Sequence, residues 1–88
     1  MDLAGQLAAL ADLAESLGME IRRAPAGDRD GPPGGAVIVL KGRQIVFLDA
    51  GATVAERIAV LASALAKRKE LDGVFLPPQI RELLDGAE

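Results

Sequence analysis

The chain has 88 residues, a formal net charge of −3, and no cysteine, histidine, tryptophan, tyrosine or asparagine. Its length is that of one domain. The missing residue types exclude disulfides, thiol nucleophiles, thiolate or imidazole metal sites and the usual general base at neutral pH. Ten basic against thirteen acidic residues argue against the chain as a whole being a polyanion binder.

Half the residues are hydrophobic, but 16 of those 44 are alanine and only two are aromatic. A domain this short buries about 60–65% of the surface its unfolded chain exposes. With no disulfide to help, self-association is a favoured route to stability.

The first segment, Asp2 to Leu17, reads as an amphipathic helix. Leu3, Leu7, Leu10, Ala14 and Leu17 recur at three- and four-residue steps, and Leu13 widens the stripe. Asp2 suits the N-cap and Gly18 the C-terminal stop. Met19 to Ala24 alternates apolar and charged residues, as an edge strand does. Pro25 to Gly35 holds four of the ten glycines and three of the five prolines, so it is a loop.

Two apolar runs follow, Ala36–Leu40 and Gln44–Leu48, around a Lys41-Gly42 turn. They predict a β-hairpin. Neither run alternates with polar residues, so both faces of the hairpin are expected to be covered. Either helices lie on both sides, or a second copy of the chain covers one of them. Asp49–Ala52 is a turn. Thr53-x-x-Glu56 is a capping box opening a second helix, with Val54, Ile58, Leu61 and Leu65 inward. Lys67, Arg68 and Lys69 are expected in its last turn, and Leu71-Asp72-Gly73 ends it. Val74-Phe75-Leu76 reads as a short extended stretch before Pro77-Pro78. A last short helix runs from Pro78 to Asp85 with Ile80, Leu83 and Leu84 inward. The order α-β-β-β-α-α implies one α+β domain, with an antiparallel or mixed three-stranded sheet.

Candidates for chemistry are few. Asp28-Arg29-Asp30-Gly31 fails the calcium-loop pattern, because Ala26 and Val37 fall where acidic ligands belong. Thr53 is more simply a cap, while Ser16 and Ser63 have no histidine to activate them. The Gly/Pro loop leads into a strand rather than a helix N-terminus and lacks the phosphate-loop spacing. No catalytic, metal or cofactor site is expected. A weak basic patch at Lys67, Arg68, Lys69 and Arg81 is diluted by nearby acids, so nucleic acid is not the favoured partner. What remains is a surplus of apolar surface. It nominates Leu3, Leu7, Leu10, Val37, Val39, Ile45, Phe47 and Phe75 as interface residues, in a homodimer or against a protein partner.

Leu17-Gly18-Met19-Glu20-Ile21, then Gly34-Gly35, Gly42-Arg43-Gln44-Ile45-Val46-Phe47-Leu48-Asp49 and the helix opened by Thr53 together resemble the front half of the ImmA/IrrE-type zinc metallopeptidases. The resemblance covers roughly residues 10–68. In it, Ser63 stands where the first zinc histidine belongs, Ala64 at the general-base glutamate and Lys67 at the second histidine. It therefore implies a shared scaffold without zinc or peptidase activity. The layout is also similar to that of small bacterial helix–hairpin–helix proteins of unassigned function. No run reaches the ~18 apolar residues of a membrane span, and the N-terminus lacks a signal-peptide pattern. The resulting expectation is a non-catalytic, soluble cytoplasmic protein acting by association. A zinc-free metallopeptidase-like regulatory domain and a weak nucleic-acid binder are the alternatives.

Overall fold

The structure, a computed structural model, describes residues 2–24 and 34–87. Of the expected Gly/Pro loop 25–35, residues 25–33, with the calcium-like Asp28–Gly31, lie outside the described residues, and Gly35 belongs not to the loop but to the first strand of the hairpin. The fold is α+β: three helices and a three-stranded mixed sheet, in the order helix, three strands, two helices.

Helix α1 (Leu3–Ser16) is closed at both ends as its sequence predicts. Asp2 Oδ1 accepts a hydrogen bond from the Gly5 N–H at 2.7 Å. At the other end the Gly18 N–H donates to the Glu15 carbonyl and the Met19 N–H to the Ala14 carbonyl. That pair of bonds is the Schellman closure. It turns the chain directly into β1 (Glu20–Ala24) and sends Met19 into the core beside Ala14.

Strand β2 (Gly35–Leu40) pairs antiparallel with β3 (Arg43–Asp49), and β1 pairs parallel with β3. The sheet order is β1-β3-β2, so β3 is central and both other strands are edges. Lys41 (φ 53°) and Gly42 (φ 80°) form the two-residue hairpin turn, with the positive φ at both positions that a type I′ turn requires. Leu40 then stands opposite Arg43, Ile38 opposite Ile45, and Val37 opposite Val46.

Residues paired across strands share a face. One face carries Ile21, Val37, Val46 and Leu48; Val46 is fully buried, and Ile21 and Leu48 pack against the same core. That core is built with Leu10 and Ala14 of α1 and with Ile58, Leu61, Ala62 and Leu65 of α2 (Val54–Ala66). The capping box forms: Thr53 Oγ1 accepts from the Glu56 N–H at 3.1 Å, and Glu56 Oε1 accepts from the Thr53 N–H at 2.9 Å. Helix α3 (Pro78–Gly86) starts on Pro78 and buries Ile80 and Leu84 against α1 and α2.

Two expectations change. Helix α2 ends at Ala66, with Lys67 as its C-cap, and a 3-10 turn at Lys69–Leu71 follows. The basic residues are therefore not in its last turn. Arg68 leaves helical geometry (ψ 112°) so that its side chain reaches back to the sheet while Leu71 becomes buried. Among the described residues, the expectation that helices cover both faces of the hairpin also holds for one face only. The helices pack on the Val46 side, and among the described residues no helix packs on the other.

Candidate functional site

The face on which no described helix packs carries Glu20 and Arg22 on β1, Arg43, Ile45 and Phe47 on β3, and Ala36, Ile38 and Leu40 on β2. It is charged on the β1 side. Glu20 makes ion pairs with Arg22 and, at 3.5 Å, with Arg43. On the β2 side it is apolar, with Ile38 42% and Leu40 54% exposed. Ile45, flanked by Ile38 and Glu20 in the register, is buried without belonging to the helix-side core. The two edges of the sheet differ in the same sense. Edge β1 (Glu20-Ile21-Arg22-Arg23-Ala24) carries three charges, whereas edge β2 (Gly35-Ala36-Val37-Ile38-Val39-Leu40) carries none.

The residues nominated from sequence separate into three groups. Leu10 is fully buried and Leu7 is half-buried against the core, so these two residues of the α1 stripe are spent largely inside the fold. Leu3 at the start of α1 remains exposed. Val37 and Val39 lie on the helix-facing side of β2, while Ile45 and Phe47 lie on the opposite side, so these four do not form one patch. Val39 is nonetheless 68% exposed, because it stands opposite Gln44 beyond the cover of the core. Phe75, 86% exposed, sits on the loop before α3. Ile38 and Leu40 were missed. The tight turn already held the signal, since a two-residue turn at 41–42 puts Ile38, and not Val37, on the face of Ile45.

The basic patch is also divided. Arg68 donates to Gln44 Oε1 at 2.7 Å, to the Leu17 carbonyl at 3.4 Å and to both carboxylate oxygens of Glu70. It thus clamps the end of α2 to β3 and to the end of α1. Arg81 donates to the Leu71 and Val74 carbonyls at 3.2 and 2.6 Å and holds the loop before α3. Only Lys67 and Lys69 of the four are free-standing exposed cations in the sense the sequence reading intended. A further arginine escaped that reading. Arg57 donates to the carbonyls of Asp49, Ala50 and Ala52 and so fixes the turn between β3 and α2.

Among the described residues two carboxylates are displaced in their titration, both by arginines at the surface. Hydrogen bonding from Arg68, and secondarily from backbone, holds Glu70 down to about 2. Glu20 is lowered chiefly by its hydrogen bond from Arg22, with Arg43 adding to it. Neither shift reflects the burial that tunes a general acid. A cleft of about 620 Å³ between the three helices is lined mainly by apolar side chains, among them Leu3, Ile58 and Leu83. Glu82 is the acid on its wall, and Ser63 opens onto it. Of the other positions singled out by the metallopeptidase resemblance, Ala64 is buried and Lys67 is exposed. Among the described residues no three acidic side chains are grouped as metal ligands, and no helix is long and apolar enough to cross a membrane. No protein family, curated protein sequence or solved structure matches the chain.

Proposed function

We propose that this protein works by association, chiefly with a second copy of itself, and that the β2–β3 hairpin is the surface it uses. The observation that carries this reading is the exposure of Ile38 and Leu40 side by side on one face of a strand with no charged residue. Contiguous apolar surface of this kind on a small domain marks a contact site or an aggregation hazard. The distribution of charge supports the former. Glu20, Arg22 and Arg43 border the apolar strip on one side only, as a polar rim borders an interface core. The nucleic-acid alternative draws less support, because Arg68 and Arg81 spend their donors inside the fold.

Size-exclusion chromatography with light scattering, run over a concentration series, tests the reading. A concentration-dependent dimer is expected. A strict monomer at high micromolar concentration, with no protein retained in pull-downs, overturns it.

A further inference from the structure

We infer that the second copy joins through the open edge of β2, the two β2 strands pairing antiparallel so that both sheets become one continuous sheet. This rests on the association reading above and names its geometry. In a two-residue hairpin the residues flanking the turn exchange backbone hydrogen bonds, so Leu40, Ile38 and Ala36 direct their N–H and C=O groups to β3. The ladder continues in phase to the far end, where the Asp49 N–H donates to the Gly34 carbonyl. The N–H and C=O groups of Val37 and Val39 consequently point to the open edge. Such an edge needs charge, proline or cover to stay single; β2 has no charge or proline within its span and no described strand pairs with its outer edge, whereas β1 has three charges.

The occupant is a second copy because the strand is complementary to itself. A two-fold axis perpendicular to the sheet keeps each residue on its own face, so some residue must face its own mate. With Ile38 at that point, Val37 exchanges hydrogen bonds with Val39 of the second copy, and Ala36 faces Leu40. The sequence Val37-Ile38-Val39 reads the same in both directions. No like charges meet: the nearest, Lys41, lies six positions from its mate in this register, roughly 20 Å along the strand, beyond a Debye length of about 8–10 Å. The exposed Ile38 and Leu40 of both copies then form one apolar strip. The edge alone is shorter than a standard interface needs, so the dimer is expected to dissociate on dilution.

Three variants read the geometry by light scattering and sedimentation. Val39→Pro deletes an outward N–H from a side chain that is already largely exposed. It is expected to weaken dimerisation at least tenfold with the far-UV circular dichroism unchanged. Leu40→Lys removes apolar contact from the outer strip but no outward backbone group, and is expected to weaken the dimer less than Val39→Pro does. Ile38→Cys introduces the only thiol. A non-hydrogen-bonded antiparallel pair has Cα atoms about 4.5 Å apart, within disulfide reach, so mild oxidation is expected to give a linked dimer. A dimer that resists Val39→Pro but is broken by Leu40→Lys overturns the edge geometry and leaves association standing. So does a chain that is monomeric alone yet retains a different protein. If Val39→Pro fails to fold, the Ile38→Cys linkage decides: its absence from a dimeric protein overturns the inference. A chain monomeric at every concentration with no partner removes the association reading itself.

Discussion

Gly35 opens β2 with φ 140°, and a Cβ placed there would stand 1.8 Å from the Phe47 carbonyl oxygen, 2.9 Å from its carbon and 3.1 Å from Leu48 Cα. All three atoms are backbone of the central strand. They retreat only if β2 and β3 separate at the end where the Asp49 N–H bonds to the Gly34 carbonyl. Gly42 supplies the control. Its φ is 80°, yet nothing lies within 4 Å of its added Cβ. Gly42→Ala therefore meets only the conformational penalty, about 1–2 kcal/mol. For a domain of this size that lowers the melting temperature by roughly 4–15 °C. Gly35→Ala adds the steric cost and is expected to exceed about 4 kcal/mol. The whole stability of a chain this long is roughly 4–13 kcal/mol, so the variant is expected to be largely unfolded or to melt far below Gly42→Ala. Urea titration followed by far-UV circular dichroism measures both; with no tryptophan or tyrosine the chain has little useful fluorescence. Equal midpoints for the two variants would refute the close approach of β2 to β3 at Gly35.

Arg68→Ala is expected to cost about 1–2 kcal/mol, through loss of the charged donor to Gln44 and Leu17. Lys67→Ala and Lys69→Ala should each stay within about 0.5 kcal/mol, and equal denaturation midpoints for all three would remove the clamp. Glu70 is held below the usual glutamate value, near 4.3 when unfolded, so the folded chain binds that proton less readily than the unfolded one. Its contribution is complete above the unfolded value and disappears as the pH falls towards 2; Glu20 acts in the same direction. Both pairs are exposed, so the decline of melting temperature in that window should be shallow, and Glu70→Gln should flatten it. An acid slope that Glu70→Gln leaves unaltered contradicts this assignment. Leu61→Ala empties a fully buried core site on α2 and should cost about 2–5 kcal/mol by chemical denaturation; a loss under about 1 kcal/mol would mean that the core is loosely packed there.

Local sequence determined the elements because their signals act within a few residues. Asp2, Gly18, Thr53 with Glu56 and Lys41-Gly42 each close or open an element by a contact within a few residues, Pro78 opens α3 by its fixed φ, and each does so in the structure. The inward residues of α2 and α3 were legible for the same reason, since helical periodicity is itself local. Arg68, Arg57 and Arg81 were not legible. Their partners are backbone carbonyls and a glutamine fixed by the tertiary fold, up to 51 residues away, and nothing in a run of basic residues says which will turn inward. The hairpin was read as apolar on both sides, but only the tertiary arrangement decided that the helices of the core lie on the Val46 side and that β3, not β2, is central. An apolar strand specifies only that it prefers to be covered. Which face is covered, and which edge stays open, depends on where the parallel strand β1 docks and how α1 returns across the sheet. Those are long-range choices set by the packing of the whole core.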